Sequence, residues 1–597
     1  MPLNFEILRP YQSLILARVR TGERTTGLVD EILHDIDGAL NLDATTRSAV
    51  ETGVAHREGV LEIGGFRYVV VKPPPWTSDA AIEDRSNQLV IVFRRNREVA
   101  ILLTETAFRQ AVTAGLDQPK FPGLGRIEPL APEILNAAFV NGPAKTIWLS
   151  GIHGRTTLKP DAKTLSGLNL RDALDPLSDQ TYFMTAVRSK VEAADIDSSV
   201  GVSPRSSRIW LSSSADWHAC REGVAAVLGH LSSIVRGNDD PLPFVALASK
   251  ALDRLGSAYE MAVIPPQLLA EDPTIDPADL QELEHWSENT TFHIEESTGN
   301  EIRSVVQFGG EELGTVTFRL VGRKRGRFGV EAEFERGNDR LEALLNHCRR
   351  EHWLRVWFDS GHTFNGDSIF QVRFRDYPFE NFLWHDFAGY EVTREKPGDP
   401  IDPDAIGLSN SLFCWTLHSW PLDGGAGWLV CDDGAMELAD FIHLDRDMLT
   451  MIHAKGSNSN DQTRQISVSS YEVVASQAIK CLRWLDQTQL HDGLVRGMRR
   501  KIGRAVWHNR RPSDRAAFLT ALEGMGSNYR RRVVILQPQV TTENLARAKA
   551  SNDSRERTRY RQLMTLFNAT RASCQGLGAE LWVVGQQVQE QGALRAR

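Results

Sequence analysis

A stretch near the C-terminal end of the chain holds the residue types that hydrolysis of a phosphodiester requires. Within residues 431–480, Asp440 belongs to one apolar segment, His453 and Lys455 end the next, and Gln477 follows on a helical segment. Such hydrolysis needs a divalent metal that activates a water, and a cation beside the developing negative charge. In a β-meander, an acid on the second strand can meet a ligand-x-lysine pair on the third, because residues i and i+2 share a face. The spacing therefore predicts that these side chains converge.

This pattern resembles the PD-(D/E)xK nuclease superfamily, which includes restriction enzymes, Holliday-junction resolvases and nuclease modules of prokaryotic defence systems. The resemblance covers residues 407–490. It implies a restriction-endonuclease-like mixed sheet flanked by helices, a requirement for Mg²⁺ or Mn²⁺, and cleavage of DNA. It also implies that Asp440 and the carbonyl of Ala454 bind the metal. Lys455 would then orient or activate the water, and Gln477 would lie beside the metal.

His453 departs from the family pattern, which usually has Glu or Asp at this position. A neutral imidazole is a softer ligand that suits Mn²⁺ or Zn²⁺ better than Mg²⁺, and it removes one negative charge from the site. We expect His453 to be a catalytic residue and a metal ligand that needs support from a further carboxylate. The candidates are Glu437 as the possible additional ligand, together with Asp432, Asp433 and Glu472. In the alternative interpretation, Asp440 caps a turn, Lys455 is solvated and His453 is a hydrogen-bonded histidine of the sheet.

A strongly basic stretch follows this region. Residues 496–532 contain eleven Lys or Arg and two acids, a local charge of 11 − 2 = +9. An enzyme that acts on a polyanion needs phosphate contacts beside its metal, so we expect nucleic-acid binding by Arg499, Arg500, Lys501 and Arg504. A solvated helix face is the alternative. Residues 322–329 (GRKRGRFG) form a second basic element that either extends this surface or is an exposed turn.

The composition is that of an ordinary globular chain. It has 597 residues, of which 41% are hydrophobic and 24% charged, with a formal net charge of −9 at pH 7. This length predicts roughly three or four domains, and the net charge argues against a chain that coats nucleic acid. Six scattered cysteines without a CxxC pair indicate neither a disulfide framework nor a zinc site. There is no Walker A loop and no GxSxG elbow. Without a signal peptide or a long apolar run, we expect a cytoplasmic protein with no membrane partner.

Composition shifts divide the chain into a multidomain α+β arrangement. Residues 1–262 are an unassigned α/β region with a sensing or docking role, and residues 290–394 alternate as an antiparallel β-rich domain. Residues 407–597 are a nuclease-like α/β domain, with strands predicted over 427–433, 437–445 and 448–457 and a helix over 469–487. Proline-rich acidic linkers separate the three regions at 263–289 and 395–406.

Together these features predict a metal-dependent DNA endonuclease, with Mg²⁺ or Mn²⁺ as cofactor and DNA as partner. The resemblance also suggests an effector of a prokaryotic antiviral defence system. Because the chain has no NTP-binding motif, a separately encoded NTPase or helicase, or a homo-oligomer, would supply control. Two alternatives remain: a catalytically inactive nuclease fold that binds nucleic acid or mediates assembly, and a nuclease that cleaves RNA.

Overall fold

The computed structural model shows a multidomain α+β protein with two compact units. The first comprises Met1–Leu174 and Ser178–Phe374, and the second comprises Asp175–Leu177 and Arg375–Arg597. The structure describes residues 3–40, 47–74, 77, 79, 81–105, 108–109, 112–113, 116, 121–154, 158–171, 173–191, 196, 199–211, 214–234, 248–249, 252–263, 277–322, 328–336, 338–350, 354–366, 368–371, 376–421, 426–433 and 438–588.

A large antiparallel sheet organises the N-terminal part of the first unit. Its strands are β1 (Ser13–Val19), β2 (Arg47–Glu58), β3 (Leu61–Lys72), β4 (Asp84–Arg95), β5 (Glu98–Leu103), β6 (Ile127–Pro129), β7 (Ala144–Gly151), β8 (Ala162–Ser166), β9 (Tyr182–Lys190), β10 (Ser199–Ser203) and β11 (Arg208–Trp210). The order is β2-β3-β4-β5-β1-β11-β10-β9-β7-β8, with β6 paired to β1. β4 and β5 form an antiparallel hairpin.

The first unit also contains two smaller antiparallel sheets. Their strands are β12 (Ala248–Ser249), β13 (Ala258–Val263), β14 (Thr290–Thr298), β15 (Glu301–Phe308), β16 (Glu311–Gly322), β17 (Phe328–Arg336), β18 (Leu354–Phe358), β19 (His362–Asn365) and β20 (Ser368–Gln371). One sheet has the order β12-β20-β19-β18-β13, and β14 to β17 form a meander. The basic element 322–329 connects β16 to β17, and its residues 323–327 lie outside the described residues.

Helices of the first unit pack through apolar faces. They are α1 (Leu28–Leu40), α2 (Pro132–Phe139), α3 (Trp217–Ser233), α4 (Pro277–Asn289) and α5 (Asp339–Arg350). Asp216 begins α3 by accepting the N–H of Ala219, as helix-capping aspartates do. Part of the predicted linker 263–289 is therefore helical, as α4, because Leu283 and Trp286 are buried in the core.

One mixed sheet forms the centre of the second unit. Its strands are β21 (Phe382–His385), β22 (Trp428–Cys431), β23 (Phe441–Asp445), β24 (Met448–Ala454), β25 (Val506–His508), β26 (Arg511–Pro512), β27 (Arg530–Thr541) and β28 (Ala579–Gln586). The order is β21-β28-β27-β24-β23-β22-β25-β26. β22, β23 and β24 form an antiparallel meander, and β24, β27, β28 and β21 run parallel. The predicted strands of the meander are confirmed, although β23 begins only at Phe441.

Helices cover both faces of this sheet. They are α6 (Leu412–Ser419), α7 (Ser469–Cys481), α8 (Gln487–Gly497), α9 (Arg515–Glu523), α10 (Thr542–Ala550) and α11 (Ser554–Gln575). On β24, Leu449 and Met451 pack in one core with α7, whereas Ile452 and Ala454 pack in another core with α6. This alternation is what the pleat of a strand produces. The predicted linker 395–406 lies within this unit.

The structure locates the cysteines and shows the hydropathy of the helices. All six cysteines are free and buried. Among the described helices, none is long and apolar enough to cross a membrane.

Candidate active site

Three strand ends meet at one edge of the second unit's sheet. Because β22, β23 and β24 are antiparallel neighbours, the end of β22, the start of β23 and the end of β24 lie at the same edge. Two backbone hydrogen bonds fix this edge. The N–H of Asp432 donates to the carbonyl of Asp440 at 3.2 Å, and the N–H of Lys455 donates to the carbonyl of Leu536 on β27 at 2.9 Å.

Asp440 stands immediately before β23 and is 3% exposed. Its Oδ2 accepts the backbone N–H of Ala454, at the end of β24, at 2.8 Å. The contact runs between two strand ends and is not a cap within one turn. It holds the carboxylate against the residue that precedes Lys455.

Lys455 forms an ion pair that the sequence pattern did not predict. Its Nζ lies 2.8 Å from Oε2 of Glu395, with the side chains 43% and 17% exposed. The carbonyl of Glu395 accepts the N–H of Phe413 in the first turn of α6. Gly456 permits the segment to come this close, because a Cβ at that position would lie 2.6 Å from the carbonyl oxygen of Thr393. The segment before α6 thus brings a carboxylate to the end of β24.

Lys396 is a second lysine at this edge. Its Nζ contacts Oδ1 of Asp433 and lies 3.5 Å from Oε1 of Glu395. Burial alone would lower the pKa of Lys396. The neighbouring carboxylates outweigh burial and raise this pKa, with contributions from Asp433, Glu395 and Asp440 in that order. Lys396 is therefore a charged ammonium that contacts two carboxylates and is attracted by a third.

Asp432, the neighbour of Asp433, is part of the protein core. It pairs with Arg515 at the start of α9 at 2.8 Å, and both side chains are less than 5% exposed. Arg515 also donates to the carbonyl of Cys431 at 3.0 Å. Burial raises the pKa of Asp432 against the opposing charges of Arg515 and Arg500. This carboxylate therefore fixes the end of β22.

His453 is buried on β24, at 1% exposure. The register pairs Phe441 with Ile452, so Asp440 and His453 are the next residues along the two strands. Within the described part of the chain, neither ring nitrogen of His453 has a hydrogen-bond partner. Burial lowers its pKa to about 4. The imidazole is therefore neutral near pH 7, and it is not the hydrogen-bonded sheet histidine of the alternative interpretation.

The remaining predicted residues are distributed around the unit. Gln477 is half-buried on α7, the helix that packs against Leu449 and Met451. Glu472 is exposed at the start of the same helix and lines a separate cleft. Glu437 lies outside the described residues.

The predicted phosphate-binding residues lie between α8 and β25. Arg499, Arg500, Lys501 and Arg504 are all exposed. Arg500 lies within electrostatic range of Asp432 and lowers the pKa of that carboxyl. Lys501 makes an exposed ion pair with Asp402 at 3.3 Å. The structure therefore places Arg500 near the end of β22.

The chemistry of this edge suits a hard divalent cation. The carboxylates of Glu395, Asp433 and Asp440 act on the ammonium of Lys396, which stands in for a cation. Mg²⁺ and Mn²⁺ prefer such oxygen ligands. As the side chains stand, no three His, Cys, Asp or Glu within the described ranges are grouped closely enough to hold a metal ion. A metal ion bound by Glu395 and Asp433 would compete with Lys396 for these carboxylates.

Glu395 and Lys396 were missed because they begin a proline-rich acidic run, EKPGDPIDP, which is typical of a linker. A weak signal was available: they are charged residues that precede an apolar helix directly upstream of the meander.

No protein-family model, curated protein or solved structure matches this chain.

Proposed function

We propose that the second unit is a divalent-metal-dependent nuclease that hydrolyses DNA at the edge formed by β22, β23 and β24. One observation carries the proposal: Lys455 pairs with Glu395, while Lys396 joins Glu395 to Asp433 beside Asp440. Carboxylates that can hold a metal, next to lysines that can stabilise charge on a phosphate, are what this hydrolysis needs. The meander that continues into parallel strands, between two helical layers, agrees with the PD-(D/E)xK architecture.

Each residue at the edge has a role in this proposal. A bound Mg²⁺ or Mn²⁺ would polarise the phosphate and lower the pKa of a bound water. Glu395, Asp433 and Asp440 would hold it, and the bond from Ala454 keeps Asp440 in place. Lys455, released from Glu395, would place its positive charge against the phosphate.

His453 adds no positive charge to the site, because its pKa is about 4. Its neutral imidazole lies next to Asp440 in the strand register and would be a further metal ligand, as predicted from the sequence, and Gln477 would support the site from α7.

The exposed basic residues would contact the DNA backbone beside the site. Arg499, Arg500, Lys501 and Arg504 are exposed and can bind phosphates without recognising bases. The role in prokaryotic defence, and control by a separate NTPase, a helicase or self-assembly, stay predictions.

A cleavage assay tests this function. The full-length protein is incubated with supercoiled plasmid and with labelled RNA, in Mg²⁺, Mn²⁺ or EDTA. We expect metal-dependent cleavage of the plasmid, and a loss of at least about 100-fold in Asp440→Ala and in Lys455→Ala. Asp447→Asn is the matched control, because Asp447 is an exposed acid in the turn at the opposite end of β23. Equal cleavage by the wild type and both site variants would refute the proposed site.

The second candidate function is an inactive nuclease fold that binds nucleic acid. It is favoured by the ion pairs of both lysines and by the lack of a ready group of metal ligands among the described residues. DNA that is bound but uncut in every metal would select this function, and cleavage of RNA alone would select an RNA nuclease.

A further inference from the structure

An open cleft in the second unit lies apart from the strand edge described above. It has a volume of about 1050 Å³ and lies between the start of α7 and the exposed side of α11. The residues that line it include Asp376, Gln465, Ser467, Ser469, Glu472, Arg559 and Arg561. We call it the α7–α11 cleft.

Most polar side chains of the α7–α11 cleft are of the types that commonly bind nucleic-acid backbones. Serine and threonine hydroxyls, glutamine amides and arginine guanidinium groups bond phosphate and sugar oxygens. No aromatic side chain is among its lining residues, so it offers no surface on which bases could stack. The lining predicts contact with the backbone of a strand and not with its bases.

Arg559 carries the positive charge available to such a ligand. Its guanidinium donates to the neutral side chain of Gln465, and among the described residues no carboxylate pairs with it. Arg555 precedes it by one helical turn on the same exposed face of α11. Of the two acids in the cleft, Asp376 is neutralised by Arg561 at 2.8 Å, and Glu472 remains as an opposing charge.

A line of hydrogen bonds connects the cleft to the loop that follows Lys455. Asn458, three residues after Lys455, donates from Nδ2 to Oγ of Ser470 at 2.6 Å. Ser470 in turn donates to Oγ of Ser467 at 2.8 Å, and Ser467 lies 3.3 Å from Oγ of Ser469. The loop that leaves β24 therefore leads directly to the hydroxyls of the cleft.

We infer that the α7–α11 cleft binds the sugar–phosphate backbone of the DNA strand that passes through the active site, without reading its sequence. This inference rests on the proposed function. Arg555 and Arg559 each contact a phosphate, and the hydroxyls of Ser467 and Ser469 bond its oxygens. The cleft thereby extends the bound length of DNA beyond Lys455.

The test is binding of fluorescein-labelled single-stranded and duplex DNA, in EDTA so that no cleavage occurs. Fluorescence anisotropy is measured at several salt concentrations for the full-length wild type, the Arg555→Ala/Arg559→Ala double variant and Arg446→Ala. Arg446 is the matched control, because it is an exposed arginine in the turn at the opposite end of β23.

We expect the double variant to bind about tenfold more weakly, with a log–log salt slope reduced by about 1 to 2, equally for unrelated sequences. The control should bind as the wild type does. Thermal melts of all variants verify folding, and the substituted side chains are exposed.

The outcomes separate the two proposals. Unchanged binding by the double variant, or no DNA binding by the wild type, overturns the inference about the cleft. A double variant that binds as the wild type does while the wild type still cuts plasmid refutes only the cleft. Weakened binding with no cleavage by the wild type in any metal supports the cleft and refutes the nuclease.

Discussion

Asp432 and Asp433 are adjacent in the chain, yet they belong to different regions of the second unit. Asp432 pairs with Arg515 in the core, where both side chains are less than 5% exposed. Asp433 pairs with Lys396, which is 29% exposed and also attracted by Glu395 and Asp440. A buried ion pair fixes a strand end, whereas a network whose lysine is partly exposed can exchange that cation for another. The exposure of the cationic partner and the number of carboxylates around it, and not residue type, separate the structural acid from the candidate catalytic ones.

The largest loss of stability should come from breaking the buried ion pair between Asp432 and Arg515. Arg515→Ala leaves Asp432 without its buried partner, and we expect a loss of about 3–5 kcal/mol in the free energy of unfolding. Lys396→Ala removes a partner that is 29% exposed from an Asp433 side chain that is 8% exposed, and should cost less, about 1–2 kcal/mol. Urea unfolding followed by tryptophan fluorescence measures both. Equal losses would show that the two regions do not differ as described.

A smaller effect should come from His453, a buried group that titrates without a partner. Its pKa of about 4 in the folded protein lies below its ordinary value of 6.5. The unfolded chain therefore binds the proton first as the pH falls. The contribution of neutral His453 to the free energy of unfolding is fully present above pH 6.5. It is lost as the pH falls from 6.5 through 4.

At pH 5 this effect amounts to about 2 kcal/mol. Between pH 7 and pH 5, the free energy of unfolding of His453→Gln should therefore fall by about 2 kcal/mol less than that of the wild type. Parallel losses in the two proteins would contradict a buried neutral imidazole.

Substitution of Lys396 should change the affinity of the neighbouring carboxylates for Mg²⁺. Lys396→Ala removes a positive charge from among the carboxylates, so we expect Mg²⁺ to bind about fivefold more tightly, an effect of about 1 kcal/mol. The Mg²⁺ dependence of the melting temperature reports this affinity. Lys549→Ala, at an exposed position on α10, is the control. Weaker Mg²⁺ binding in Lys396→Ala would mean that Lys396 supports the site and does not occupy it.

The smallest effects should come from the fully exposed basic residues. Arg499→Ala and Arg504→Ala should each weaken DNA binding a few-fold and reduce the salt slope by about 0.9, with little change in stability. Anisotropy titrations at two salt concentrations measure this. A change in sequence preference would instead indicate contacts with bases.

Local pattern was sufficient to predict the meander and α7, because their apolar periodicity is strong and their connections are short. The same pattern placed Asp440 and Lys455 at neighbouring strand ends. It could not place Glu395 or Lys396, whose positions depend on contacts between segments distant in sequence. The carbonyl of Glu395 bonds Phe413, and Ser457 donates its N–H to the carbonyl of Val392.

The fold of the first unit could not be predicted from the local sequence pattern either. β1 lies between β5 and β11, and such pairing between distant strands leaves no periodic signal in the sequence. The structural role of Asp432 also required the structure, because Arg515 follows it by 83 residues.

Binding of Mn²⁺ in the absence of DNA tests the proposed site most directly. Calorimetric titration compares the full-length wild type with Glu395→Gln, Asp440→Asn and the control Asp447→Asn. We expect Mn²⁺ binding by the wild type and the control, and affinity at least about tenfold lower in both site variants. Equal affinity in all four proteins, or no binding by the wild type, would contradict a metal site at this edge.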